Sequence, residues 1–183
     1  MSSGTEILAG RNSVREALLA RRRRIRQVVL AEGVGEKGVV EEILPLAREA
    51  GVPVEHARRQ EVDRWGNDLK TQGVIARASA YPYAEVTDIL ELAQERGEPP
   101  FILVLDSLQD PQNVGSLLRT AEAVGVHGVI LPERRAVGVT PAVSRASAGA
   151  VEWLAVALVT NLARTLDDLK EQGVWVVGVE DRP

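Results

Sequence analysis

Residues 101–106, Phe-Ile-Leu-Val-Leu-Asp, form an unbroken apolar run that closes on a carboxylate. A strand that is apolar on both faces has to be covered on both faces, which is the situation of a parallel sheet between layers of helix. The run passes through Asp110-Pro111 into a helical pattern; Asp suits an N-cap, and Pro suits the first helical position. At 100° per residue, Val114, Leu117, Leu118, Ala121, Val124 and Gly125 share one face and mark the core side. Gln112, Ser116 and Arg119 fall opposite. Asn113 lies on the flank, in the first turn, where a helix N-terminus favours anions. Gly115, four residues before Arg119, costs about 1 kcal/mol relative to alanine. Its presence predicts the close approach of another chain or a ligand.

The remaining pattern alternates helix and strand. Val14, Ala17 and Leu18 give residues 13–20 helical spacing, with Ser13 as the expected N-cap. Strands are expected at 26–31, 52–57 and 73–79, with a helix over 38–50. Residues 85–100 read as a helix ending in the breaker cluster Gly-Glu-Pro-Pro. After the strand at 101–106 come strands at 128–132, 152–158 and 174–179, separated by helices from Pro111, near 141–148 and over 162–173. The predicted class is α/β: a small N-terminal α/β module over 1–80, a linker over 81–100, and a doubly wound parallel sheet of four strands over 101–183.

Composition narrows the chemistry. The chain has no cysteine and only two histidines, His56 and His127, so disulfides and a zinc cluster are not expected. No apolar run approaches the ~18 residues of a membrane span. The N-terminal Met-Ser-Ser-Gly-Thr-Glu lacks the basic and apolar regions of a secretory signal, so a cytoplasmic protein is expected. Net charge is −4, but residues 1–80 hold 14 Lys and Arg against 11 Asp and Glu, or +3, and the remainder is −7. That asymmetry points to a nucleic-acid-facing N-terminal part. Its densest cluster, Arg21-Arg-Arg-Arg-Ile-Arg26, reads as a solvated helix end whose guanidinium groups also suit phosphate. With six aromatics in all, base stacking cannot dominate RNA affinity; phosphate contacts and RNA shape are expected to.

One pattern competes. Gly33, Gly35 and Gly38 stand in G-x-G-x-x-G spacing between a strand and a helix, and Glu55 follows some twenty residues on, as in a dinucleotide site. Glu32, however, puts a carboxylate where a pyrophosphate would sit, and no further strands complete a mononucleotide half before residue 80. A plain glycine-rich loop is the expectation.

The stretch from Asp106 to Gly125 resembles motif 1 of the SpoU (TrmH-like) class of SPOUT RNA 2′-O-ribose methyltransferases. It matches that motif at Asp110, Pro111, Asn113, Gly115, Arg119, Thr120, Ala121 and Gly125. Residues 144–154, Ser-Arg-Ala-Ser-Ala-Gly-Ala-Val-Glu-Trp-Leu, are similar to the family's segment after its second strand. Leu8 to Leu18 and Thr71 to Ala76 resemble the accessory RNA-binding domain of its ribosomal-RNA members. The resemblance implies methyl transfer from S-adenosylmethionine to a ribose 2′-OH of a guanosine in 23S rRNA. It implies Arg119 and Asn113 as catalytic residues, Arg119 holding the hydroxyl and the adjacent phosphate. The family view makes Arg119 the general base, whereas a guanidinium with a pKa above ~12 more readily stabilises a forming alkoxide. Both roles stay open at this point. Candidate RNA-binding residues are Arg11, Asn12, Arg15, Arg58, Lys70 and Gln72.

The family's motifs 2 and 3, which build its C-terminal knot, most of its cofactor pocket and much of its dimer interface, have no counterpart in these 183 residues. The expectation is that this chain by itself binds S-adenosylmethionine weakly or not at all and is inactive, the homodimer belonging to the complete enzyme. The alternative expectation is a non-catalytic RNA-binding module.

Overall fold

The computed structural model describes residues 4–35, 37–67 and 69–179. The outermost residues of the two expected units, 1–3 and 180–183, lie outside them. The first unit is a mixed sheet of β1 (Thr5–Ala9), β2 (Ile25–Ala31), β3 (Val54–Ala57) and β4 (Val74–Ser79) in the order β1-β4-β2-β3. β4 runs antiparallel to both neighbours, and β2 and β3 run parallel. Helices α1 (Arg11–Ala20) and α2 (Val39–Glu49) cover one face, where Leu8, Val14, Leu18, Val28, Leu30, Val40, Ile43 and Val74 are buried. Helix α3 (Arg59–Trp65) covers the other face through Val62, against Val29 and Ile75.

The second unit has three parallel strands, β5 (Ile102–Val104), β6 (Gly128–Pro132) and β7 (Val156–Val159), in sequence order. One face carries α5 (Pro111–Ala123), α6 (Pro141–Ala146) and a 3-10 turn at Ala150–Trp153; Val114, Leu118, Val129, Leu131, Val143 and Val156 meet there. The other face carries α4 (Val86–Arg96) and α7 (Leu162–Glu171), whose Ile89 and Leu169 close over Ile130 and Ala157. Helices therefore sandwich β6, whose first four residues are buried, as a parallel sheet requires. Residues 81–100, expected as a linker, are packed: Ala84 bridges to Ala157, and α4 lies on the second sheet.

Several expectations need correction. The strand expected at 174–179 does not form, which leaves three strands rather than four. Strand propensity acts only where a neighbour supplies a ladder. Without one, Trp175, Val177 and Val179 are 94%, 83% and 97% exposed. The segment expected as a strand from 152 begins as the 3-10 turn, and pairing starts at Val156. Helix α1 starts two residues earlier than expected, capped by Gly10; Ser13 is buried within it and donates to the Ser144 carbonyl at 3.3 Å. Strand β1 and helix α3 were not anticipated.

Candidate functional site

Helix α5 begins as its sequence dictates. The Asp110 carboxylate accepts from the backbone N–H groups of Gln112 and Asn113, each at 3.2 Å, a cap of about 1 kcal/mol. Val114, Leu118 and Ala121 are buried as expected, but Leu117 and Val124 are 38% and 56% exposed. The buried arc is rotated toward α6, and Gly115 lies inside it. A β-carbon on Gly115 would stand 2.4 Å from the Ala146 Cβ and 2.8 Å from the Ser147 nitrogen. The glycine thus serves a close helix–helix crossing within the chain; it does not lie on the outward surface with Asn113 and Arg119.

Asn113 and Arg119 are both exposed, and neither side chain has a hydrogen-bond or ion-pair partner among the described residues. Six residues separate them, roughly 9 Å along a helix axis. A ligand that touches both must span that distance. The carboxyl ends of the strands are open: Asp106 and Ser107 after β5, Glu133 and Arg134 after β6, and Thr160 and Asn161 after β7 are all exposed. These residues line neither the cavity between α1 and β2 nor the cleft where the two units join.

Four of the expected RNA-binding residues do come together. The Arg11 backbone N–H donates to Gln72 Oε1 and its Nε to the Gln72 carbonyl, both at 3.3 Å. Gln72 is held at a φ of 53°, a conformation that costs of order 1 kcal/mol or more for a non-glycine residue. Arg145 Nε, from the second unit, donates to the Lys70 carbonyl at 3.1 Å. Asn12, Gln72, Gln112 and Arg145 line a cleft of about 190 Å³ where the units join. Arg145 and Gln112 were not singled out in the sequence: an exposed Gln and a helix-end Arg carry no signal until the first unit is placed beside them. The other two expected residues lie apart. Arg15 is engaged by Glu42 at 2.6 Å and by Glu16, and the Glu42 hydrogen bond raises its pKa further. Arg58 is exposed at the start of α3, where its backbone N–H donates to Glu61 at 3.2 Å.

The arginine run resolves into separate roles. Arg21 pairs with Glu49 at 2.5 Å, and Arg24 and Arg26 are exposed. Arg23 is fully buried as a side chain and pairs with Glu6 at 2.6 Å and Glu152 at 2.9 Å, its guanidinium 5.0 Å from the Tyr81 ring centre. Glu152 also accepts from the Ser144 hydroxyl at 3.1 Å. Burial pushes the Glu152 carboxyl above its ordinary range, and Arg23 opposes the shift. The Tyr81 hydroxyl donates to the Leu154 carbonyl at 2.5 Å, and burial raises its pKa as well. Trp153 Nε1 donates to Glu16 at 2.8 Å. Gly149 lets α1 approach; a β-carbon there would stand 2.6 Å from the Glu16 Cβ. These contacts fasten the first unit to the second. The sequence hid them because Arg23 and Glu152 are 129 positions apart.

The remaining candidates are accounted for. The larger cavity, about 360 Å³, lies between α1 and the start of β2 and is lined by Leu18, Arg21, Arg24 and Val52, away from α5. Buried His127 accepts from the Phe101 N–H at Nδ1, 3.0 Å, which leaves Nε2 to donate to Glu98 at 3.1 Å. Among the described residues, no group of three or more His, Cys, Asp or Glu could hold a metal ion. None of the described helices is long and apolar enough to cross a membrane. In the glycine-rich loop, Gly33 and Gly38 have positive φ, and Glu32 donates its N–H to the Ala57 carbonyl.

Comparison with known proteins bears on both units. Residues 100–183 match the SpoU rRNA Methylase family, and residues 7–84 match the RNA 2′-O ribose methyltransferase substrate binding family. A Bacillus subtilis protein assigned to the TrmH family of tRNA/rRNA methyltransferases, YacO, is 44% identical over 180 residues, 98% of this chain and 71% of that protein. Among solved structures, the SpoU methyltransferase AviRb from Streptomyces viridochromogenes superposes with a TM-score of 0.68 at 22% identity. That match covers 93% of this chain and 59% of AviRb, so the chain spans about three-fifths of that protein. A second AviRb structure, in complex with AdoMet, gives 0.67 at 20% identity, covering 93% and 61%. At such identities the likeness establishes the fold.

Proposed function

The chain belongs to the SpoU rRNA methylase family of RNA methyltransferases, and on that premise we propose that the protein transfers a methyl group from S-adenosylmethionine to the ribose 2′-OH of a guanosine in 23S rRNA. The observation that carries this reading is the state of Arg119: an exposed guanidinium on α5, the helix that follows β5, with no partner of its own among the described residues. S-adenosylmethionine supplies an electrophilic sulfonium methyl. For their part, the chain's residues position the hydroxyl and offset the negative charge that develops on its oxygen. On this reading Arg119 binds the ribose oxygen and the neighbouring phosphate. Asn113, at the α5 N-terminus, orients the same nucleotide from about two turns away. Electrostatic stabilisation is preferred for Arg119, since a guanidinium deprotonates only above ~12.

Residues 1–80 act as the RNA-substrate-binding domain, 81–100 as the connection and 101–183 as part of the catalytic domain. Arg11, Asn12, Lys70 and Gln72 are the first-domain residues favoured for RNA, with Arg58 as an outlying phosphate contact. Arg15 is disfavoured by its two carboxylate partners. Exposed Leu117, Val124, Trp175 and Val177 support a homodimer that covers them. The open strand ends support a further expectation, that these 183 residues alone neither hold S-adenosylmethionine firmly nor turn over. The protein is placed in the cytoplasm, with its ribosomal substrate.

The test is a 2′-O-methylation map of unmodified 23S rRNA treated with full-length protein and S-adenosylmethionine. One new methylated guanosine is expected. Methylation of tRNA alone, or of a base, would replace the substrate. A calorimetric titration of the 183-residue chain with S-adenosylmethionine checks the second expectation, and micromolar binding would overturn it.

A further inference from the structure

The cleft where the two units join belongs to neither the strand ends nor the apolar faces. From the first unit it takes Gly10, Asn12, Ser13 and Gln72, and from the second Gln112 and Arg145. Its polar lining is three carboxamides, a hydroxyl and a guanidinium, with no carboxylate. Carboxamides present a donor and an acceptor in one plane, the pattern that pairs with the edge of a nucleobase, and a guanidinium suits the attached phosphate. The cleft is open on one side and offers about 190 Å³, somewhat more than the ~150 Å³ cavity that takes up one benzene ring, so there is room for a single planar ring system. The lining is also held in place. Gln72 keeps a positive φ under two hydrogen bonds from Arg11, and Arg145 is tied to the Lys70 carbonyl. Gln112 lies in the first turn of α5, next to Asn113 and seven residues, roughly 10 Å along the axis, from Arg119. The long Arg119 side chain can bridge part of that separation toward a neighbouring nucleotide.

We propose that this cleft seats one unstacked nucleotide of the RNA substrate, adjacent to the methylated one, with Asn12, Gln72 and Gln112 reading its base and Arg145 holding its phosphate. The inference rests on the RNA methyltransferase reading and adds to it a specificity site built across both units. Because RNA sequence is read mainly in unstacked segments, the site makes substrate choice depend on how the two units are fastened together.

The experiment is a nuclear magnetic resonance titration of the protein with guanosine, adenosine, cytidine and uridine 5′-monophosphates, with inorganic phosphate as the reference probe. The expected result is a saturable shift of the Asn12, Gln72 and Gln112 side-chain amide signals, half-complete at on the order of millimolar nucleotide and strongest for one base. Inorganic phosphate shifts them little. Gln112→Ala with Arg145→Ala abolishes the response while signals from β2 and β6 stay in place; Gln112→Glu, a milder change, weakens it several-fold. Equal shifts with phosphate alone, no shift at 20-fold higher nucleotide (on the order of tens of millimolar), or a response that survives the double substitution would each overturn the proposal. The titration involves no methyl transfer, so its outcome is separable from the rRNA methylation map. A protein that methylates its target yet gives no shift refutes the cleft alone.

Discussion

Arg23 and Arg119 carry the same side chain into opposite surroundings. Arg23 is buried, answered by Glu6 and Glu152 and stacked against Tyr81, whereas Arg119 lies exposed on α5 with no partner among the described residues. Taking a guanidinium out of water is costly, and only a complete set of partners offsets it. Arg23 meets two carboxylates, Glu6 through Nη1 and Glu152 through Nε, although its Nη2 is buried without a partner among the described residues. Arg119 leaves its hydrogen-bonding capacity unspent among the described residues. The difference shows that a dense run of arginines need not mark the RNA site: the most buried member of the run is a fastener, and the functional candidate is a lone arginine on a helix that carries no other cation.

The comparison breaks most visibly at Arg23. Arg23→Ala leaves Glu152 buried without its cation and is expected to cost about 3–5 kcal/mol of stability, measured by urea unfolding. Arg119→Ala should change the same quantity by less than about 0.5 kcal/mol, as for an unpaired surface residue. Next comes the crossing that supports Arg119 from behind. Gly115→Ala meets the Ala146 and Ser147 backbone and should destabilise by about 1–3 kcal/mol, seen as a lowered thermal midpoint.

A smaller effect sharpens the same contrast through pH. Burial raises the folded-state pKa of Glu152 above its ordinary 4.5, so the folded chain binds that proton more tightly than the unfolded chain. Its contribution to stability is therefore greatest below 4.5 and declines as pH rises through the interval up to the raised value. Glu152→Gln, which cannot titrate, should flatten the stability curve across that interval. Among the contacts between the units, Trp153→Phe removes one exposed hydrogen bond to Glu16 and should cost no more than about 0.5–1.5 kcal/mol.

Local signals made α5 legible. Asp110, Pro111 and the apolar spacing fix where it starts, and Asn113 and Arg119 emerge exposed as read. The meaning of Gly115 was not local. Its neighbour is Ala146 on another helix, so the projection left it off the core face although it is buried there. Leu117 and Val124 erred in the opposite direction, because a 100° projection cannot tell which way the buried arc is rotated. The pairing of Arg23 with Glu152 and the cleft formed by Gln72 and Arg145 depend on how two separately readable sheets dock. Docking leaves no periodicity in a sequence. Likewise the apolar run at 174–179 announces a strand, yet the structure gives it no partner strand.

The account turns on Arg119, and single-turnover methyl transfer by the full-length protein on its RNA, compared between wild type, Arg119→Lys and Arg119→Ala, tests it most directly. It predicts a rate lowered about 10²–10³-fold in Arg119→Ala, a smaller but clear loss in Arg119→Lys, and unchanged thermal stability in both. Near-normal rates in both variants, with the RNA still bound, would contradict it.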